Sequence, residues 1–150
     1  MKESFELKDS VHVIAEAVEN GGRFTLFPRG TSMLPTIVPG RDSVCLVKAK
    51  TLKAGDIILY RRPCGSFVLH RILKLCADGT FVLCGDNQRC YEKNVSAENV
   101  LFLVESYEKN GKTVKRGGVL FWLDYRYARA LQFAKAAYRR VISVFSLKRN

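Results

Sequence analysis

The stretch that decides the fold is residues 66–83, which read SFVLHRILKLCADGTFVL. Apolar residues run or alternate on both sides of Asp78-Gly79, a dipeptide typical of a tight turn between two antiparallel strands. Further segments of this kind flank it, at 24–27, 43–47, 56–60 and 100–107. Turns that contain proline or glycine separate these segments. The patterns predict a mainly β fold with antiparallel sheets over residues 24–107.

Helical periodicity lies on both sides of this β region. Residues 9–20 predict a short amphipathic helix that ends at Gly21. Beyond the β region, residues 118–147 predict a long amphipathic helix rich in arginine. The apolar stripe of this helix consists of Leu123, Tyr127, Ala130, Leu131, Ala134, Tyr138, Val141, Ile142 and Phe145. We therefore expect residues 1–150 to form a single domain, with an N-terminal helix at 9–20, a β core at 24–107 and a basic C-terminal helix at 118–147.

The positive charge is concentrated in the C-terminal part of the chain. Lysine and arginine number 25 against 14 acidic residues, a formal net charge of +11. Residues 1–108 hold 14 basic and 13 acidic residues, whereas residues 109–150 hold 11 basic residues and the single acid Asp124. Two interpretations of this basic helix stay open: its apolar stripe packs on the β core, or the helix lies on an anionic membrane. The near-neutral β core disfavours nucleic acid as a partner.

The sequence also bounds the location and the cofactors. No run approaches the ~18–20 apolar residues that cross a bilayer, and the acidic N-terminus is not typical of a signal peptide. We expect a cytoplasmic or peripherally membrane-associated protein. The five cysteines are odd in number and lack the spacing of zinc ligands, which favours a reducing compartment. We expect no metal and no cofactor.

Three residues could carry chemistry together. Ser32 lies in a loop between two predicted strands, His70 lies on the strand quoted above, and Asp86 follows the next strand. A serine hydroxyl becomes a strong nucleophile when a neighbouring base takes its proton, and an acid can orient that base. Each residue also has an ordinary structural interpretation: a turn serine, a core histidine and an aspartate that caps a turn.

Taken together, four motifs resemble the type I signal peptidase family, in its Ser–His branch of endoplasmic-reticulum and sporulation-type enzymes. The motifs are Ser32-Met33 with Pro35, Gly55-Asp56, His70-Arg71 and Gly85-Asp86-Asn87. The resemblance covers about residues 24–107 and implies a signal-peptidase-like β fold. We expect the protein to be without the N-terminal membrane anchor that is usual in this family.

The resemblance implies roles for these residues. Ser32 would attack the scissile carbonyl, His70 would act as general base and then general acid, and Asp86 would orient His70. The family also places an acid six residues beyond that aspartate, where this chain has Glu92, so either Asp86 or Glu92 could contact His70. Lys74 lies on the same strand face as His70, but about 13 Å away, which disfavours a Ser–Lys pair.

The surroundings of the serine follow from the same resemblance. The Ser32 amide would supply part of the oxyanion hole, and Met33 would pack beside the serine. Some relatives have a hydroxyl two residues before the serine; here that residue is Gly30, so the backbone around Gly30 and Thr31 would have to suffice.

The function that the resemblance implies is a serine endopeptidase that cleaves a leader or signal-type precursor peptide through an acyl-enzyme. The alternative is a β scaffold without catalytic activity that binds an anionic membrane or nucleic acid through the basic helix. The distance between Ser32 and His70 distinguishes the two, since catalysis needs the hydroxyl close to the imidazole.

Overall fold

An eight-stranded antiparallel sheet carries one helix at each end of the chain in the computed structural model, which describes residues 7–147. The elements are α1 (Leu7–Glu19), β1 (Phe24–Leu26), β2 (Val44–Lys48), β3 (Ile57–Arg61), β4 (Phe67–Leu75), β5 (Phe81–Cys84), β6 (Glu92–Val95), a 3-10 turn (Ala97–Asn99), β7 (Val100–Lys109), β8 (Lys112–Lys115) and α2 (Val119–Leu147). The prediction of a mainly β, antiparallel fold with a short N-terminal helix and a C-terminal helix is confirmed.

The strand order places β4 between β3 and β5. Along the sheet the order is β1-β2-β7-β3-β4-β5-β6, and β8 pairs with β7. On β4, His70 lies opposite Ile58 and Arg71 lies opposite Ile57 of β3. The predicted hairpin at Asp78-Gly79 joins β4 to β5, and Gly79 has the positive φ of 82° that such a turn needs. Both motif residues of β4 therefore lie inside the sheet.

Two strands were not predicted. β6 (Glu92–Val95) lies at one edge of the sheet and pairs only with β5 among the described strands. An edge strand can be polar, so β6 lacks the apolar run or alternation that marks the predicted strands. β8 (Lys112–Lys115) extends the β region beyond the predicted end at residue 107. Asn110-Gly111 joins it to β7, with positive φ at both residues as the two-residue hairpin requires.

The sheet separates two apolar cores. The larger core takes Ile14 and Val18 from α1, Leu69 from β4 and Phe121 from α2. Ile72 of β4 belongs to the smaller core on the other side. Alternation along β4 thus divides its side chains between the two cores, so the strand that carries His70 is packed on both faces.

The C-terminal helix packs on the sheet with a different face from the predicted one. Phe121 and Ala128 are buried, whereas Leu123, Tyr127 and Tyr138 of the predicted apolar stripe are 56%, 57% and 68% exposed. The interpretation in which this stripe packs on the β core is therefore wrong. Within residues 7–147, neither helix combines the length and the apolar character that a bilayer-crossing segment needs.

Candidate active site

Ser32 lies in the loop between β1 and β2, and its neighbour anchors it. Met33 is buried in the larger core, and its carbonyl accepts a hydrogen bond of 3.0 Å from the Ile37 amide. Ser32 is half-buried, while Gly30 and Thr31 are exposed. Burial of Met33 therefore anchors the loop backbone next to the half-buried Ser32.

His70 is fully buried, and Glu92 contacts its ring. The His70 Nδ1 atom lies 3.2 Å from Glu92 Oε1 and 3.3 Å from the Tyr60 hydroxyl. An ionised carboxylate only accepts hydrogen bonds, so contact with Glu92 places the imidazole proton on Nδ1. The lone pair that could accept a proton is then on Nε2.

The Nε2 atom of His70 faces Ser32 without a hydrogen-bond partner among the residues that the structure describes. A methyl group added at Gly85 would lie 3.0 Å from His70 Nε2 and 3.0 Å from Ser32 Cβ. His70 Nε2 and Ser32 Cβ are therefore separated by no more than twice 3.0 Å. The Ser32 hydroxyl does not hydrogen-bond to Nε2, and loose contacts of this kind are common in unliganded active sites.

The environment keeps His70 neutral. Burial lowers the pKa of His70 to about 4, against the opposing effect of the Glu92 carboxylate. At neutral pH the imidazole is therefore unprotonated and able to accept a proton. This is the protonation state that a general base needs before reaction.

Glu92 is held in turn by Arg62 at the end of β3. The Arg62 Nε donates to Glu92 Oε2 at 3.0 Å, and a second guanidinium nitrogen contacts Oε1. Burial acts to raise the pKa of Glu92, but hydrogen bonds from Arg62 and Tyr60 outweigh it and lower the pKa. Glu92 is therefore an ionised carboxylate oriented toward His70.

Asp86 occupies a different position from the one predicted. Its carboxylate receives hydrogen bonds of 2.9 and 2.7 Å from Arg71 and another from the Thr36 hydroxyl. Arg71 also donates to the Gly55 carbonyl at 2.7 Å. The acid that contacts the His70 ring is Glu92, whereas Asp86 pairs with a buried arginine. Of the two acids left open by the sequence, the structure thus places Glu92 beside the histidine.

The Gly85-Asp86-Asn87 loop holds the serine loop by backbone contacts. The Asn87 amide donates to the Ser32 carbonyl at 2.7 Å, and the Asn87 side chain donates to the Thr31 carbonyl at 3.3 Å. On the other side of this loop, Gln132 of α2 donates to the Asp86 carbonyl at 2.6 Å and the Gly85 carbonyl at 3.1 Å. The C-terminal helix is thereby linked to the serine through one loop.

A groove of about 660 Å³ opens along Ser32 and His70. Its wall is mainly apolar and comes from α1, β1, β3 and β4 and from the serine loop; it includes Phe24, Leu26, Met33, Leu59, Phe67 and Leu69. Gly30, Arg62 and Gln88 also line it. A groove of this size and lining can bind an apolar segment, and Ser32 and His70 are part of its wall.

The arrangement suits nucleophilic chemistry. The backbone N–H of Ser32 donates no hydrogen bond in the described part of the chain, so it is available to a developing oxyanion. Among residues 7–147, no group of three His, Cys, Asp or Glu side chains is placed to hold a metal ion. Ser32, His70 and Glu92 are therefore the candidates for a nucleophile, a base and an acid that orients the base.

Three contributors were missed by sequence reasoning. Tyr60, Arg62 and Gln132 belong to no motif, and each acts only through a contact between distant elements. The alternation of β3 could have placed Tyr60 opposite β4, since both strands are clearly apolar. Nothing in the sequence indicated Gln132, which lies on the basic helix.

Comparison with known proteins gives no match: no family model matches the chain, and no curated protein or solved structure is significantly similar to it. Evidence on the function of the chain therefore comes from the geometry around Ser32, His70 and Glu92.

Proposed function

We propose that the protein is a serine endopeptidase in which Ser32 is the nucleophile and His70 is the general base. The observation that carries the proposal is the buried, neutral His70 whose unpartnered Nε2 faces Ser32 at the end of an apolar groove. A lone pair left without a donor is costly in a core, and a serine proton is the donor that this geometry offers.

In the proposed reaction, Ser32 Oγ forms a bond to the scissile carbonyl carbon while its proton moves to His70 Nε2. The Ser32 N–H stabilises the oxyanion, and the Glu92 carboxylate stabilises the imidazolium through Nδ1. The C–N bond then breaks as Nε2 returns the proton to the leaving amine. Water, activated by the same nitrogen, hydrolyses the acyl-enzyme and regenerates Ser32.

The substrate class that we propose is a leader or signal-type peptide. The motif resemblance to the type I signal peptidases supports it, as does a groove that can bind an extended apolar segment. From the resemblance, small residues are expected before the cleaved bond. The five free thiols fit a reducing compartment, so we place the reaction in the cytoplasm or at a membrane surface.

The test is mass spectrometry of leader-bearing precursor peptides incubated with the wild type, Ser32→Ala and His70→Ala. We expect one cleavage product from the wild type and a loss of nearly all cleavage in both variants. His12→Ala is the matched control, since His12 is an exposed histidine on α1.

Two further measurements make the result decisive. A fluorophosphonate probe should label the wild type at Ser32 and leave Ser32→Ala unlabelled, whatever the peptide. Circular dichroism checks that each variant folds. Cleavage that persists in folded Ser32→Ala and His70→Ala would refute the proposal.

A further inference from the structure

The C-terminal helix exposes an apolar surface on the side opposite the sheet. At 100° per residue, Leu123 and Tyr127 lie on the other side of α2 from the buried Phe121 and Ala128. The exposed apolar surface, called the outer face below, consists of Val119, Leu120, Leu123, Tyr127, Ala130, Ala134 and Tyr138. From Val119 to Tyr138 it extends about 29 Å at the rise of an α-helix.

The outer face is too continuous to be a scatter of surface residues. Val119, Leu120, Leu123, Tyr127 and Tyr138 are all more than half exposed. Contiguous exposed apolar surfaces of this kind mark interaction sites, because removing apolar surface from water is favourable. The inner face of the same helix is already occupied, since Phe121 packs in the larger core. The outer face is therefore open to a partner other than the sheet.

Charge indicates which partner. Residues 109–150 hold 11 basic residues and one acid, and that acid, Asp124, is paired with Lys109 and Tyr107. On α2 itself the exposed Arg126 borders the outer face at 100° per residue, whereas the exposed Arg139 lies on the side of Phe121. A second copy of the chain would bring two strongly basic helices together, which repel each other. An apolar face beside cationic side chains instead matches an anionic lipid surface.

We infer that α2 docks on an anionic bilayer, with the outer face in the interfacial region and the arginines at the lipid phosphates. Tyr127 and Tyr138 suit this position, because tyrosine places an apolar ring in the acyl boundary and a hydroxyl in water. The helix lies on the membrane and does not cross it. The aromatic and aliphatic side chains of the outer face insert into the interfacial region, and the basic side chains cause the preference for anionic lipid.

Docking by the outer face leaves the inner face on the sheet. Gln132 keeps its hydrogen bonds to the loop that holds Ser32, so the groove is carried to the lipid surface with the helix. The inference goes beyond the proposed peptidase activity and does not depend on it, because binding is measured without any substrate.

The experiment is vesicle co-sedimentation of the full chain. One set of vesicles contains phosphatidylcholine mixed with phosphatidylserine, and the other contains phosphatidylcholine alone. We expect the wild type to bind the mixed vesicles and to dissociate from them at high salt. Its affinity for the neutral vesicles should be lower by about tenfold or more.

Two variants test the face itself. Leu123→Glu with Tyr127→Glu should weaken binding to the mixed vesicles by about tenfold or more, because both side chains leave the interface. Val13→Glu with Leu75→Glu is the matched control: both residues are exposed and apolar, lie away from α2, and change the net charge equally. This control should bind like the wild type.

Several results would overturn the inference. Wild-type protein that stays in the supernatant with the mixed vesicles would do so, as would equal losses in the two double variants. A wild type that sediments as a dimer, with Leu123→Glu and Tyr127→Glu restoring the monomer, would show that a second copy covers the outer face. Retardation of single-stranded RNA without vesicle binding would assign the basic helix to nucleic acid.

Discussion

Glu92 Oε1 lies 3.2 Å from His70 Nδ1, and this contact joins the edge strand β6 to the interior strand β4 across β5. The carboxylate fixes the imidazole proton on Nδ1 and leaves Nε2 facing Ser32. Arg62 holds the carboxylate from the opposite side. The acid that contacts His70 thus comes from β6, the strand with the weakest β pattern in its sequence.

Glu92→Gln should reduce catalysis while leaving the fold intact. The amide keeps the size of the side chain but removes the charge that stabilises the imidazolium, so kcat should fall by about 100-fold or more with little change in KM. Steady-state kinetics on the precursor peptide and thermal unfolding measure the two effects. Glu98→Gln, an exposed glutamate beyond β6, is the control. An unchanged kcat in Glu92→Gln would remove Glu92 from the mechanism.

Asp86→Asn should act mainly on stability. The substitution leaves the fully buried Arg71 without its charge partner, and breaking a buried ion pair in this way costs about 3–5 kcal/mol. Urea unfolding at neutral pH measures the loss. Asp78→Asn, in the exposed turn after β4, should cost about 1 kcal/mol or less. Equal losses in the free energy of unfolding at the two positions would show that the Arg71–Asp86 pair contributes no more to stability than an exposed aspartate does.

The free energy of unfolding should depend on pH through His70. The folded chain has a His70 pKa of about 4, and an unfolded histidine has a pKa of about 6.5. Between these values only the unfolded chain binds the proton, so acidification favours unfolding. The contribution of His70 to stability is therefore complete above about pH 6.5 and is lost as the pH falls toward 4, by up to about 3 kcal/mol.

Urea unfolding of the wild type and His70→Gln over this pH range isolates the effect, since other acids titrate in both proteins. The difference in slope between the two should disappear above about pH 6.5. His12→Gln should keep the slope of the wild type. Parallel curves for wild type and His70→Gln would mean that His70 has an ordinary pKa.

Gly85→Ala should abolish labelling and cleavage at Ser32. Its new Cβ would lie 2.6 Å from the Ser32 carbonyl oxygen and 3.0 Å from His70 Nε2, so the serine loop must move. The side chain would also fill the space between nucleophile and base. Fluorophosphonate labelling of Ser32 measures the change directly, and circular dichroism establishes that the variant is folded. Full labelling of a folded variant would contradict the proximity of the three groups.

Gln132→Leu should loosen the loop that positions the serine. Leucine keeps the bulk of the side chain but loses both hydrogen bonds to the Gly85 and Asp86 carbonyls. We expect kcat to fall by about tenfold and the Asn87 amide, which donates to the Ser32 carbonyl, to exchange its hydrogen faster. Arg126→Leu on the same helix is the control. Unchanged exchange at Asn87 would show that Gln132 does not position the loop.

The predictable part of the fold came from local patterns. Alternation and turn residues located six of the eight strands, because apolar strands and Gly-containing turns have short-range signatures. β6 was not predicted, because an edge strand can be polar and then shows no apolar alternation. The C-terminal helix was located correctly, but its buried face was not, because a helix with apolar residues on two sides offers two faces for packing.

The sequence by itself determined the kinds of elements, the concentration of positive charge after residue 108 and the candidate pair Ser32 and His70. All of these depend on residue type and short spacing. Only the tertiary structure decided that Glu92 contacts His70 while Asp86 pairs with Arg71. Both acids follow β5 along the chain, Asp86 in the loop directly after it and Glu92 at the start of β6. Which one meets the histidine depends on how β6 returns to pair with β5, a long-range arrangement that local patterns do not encode.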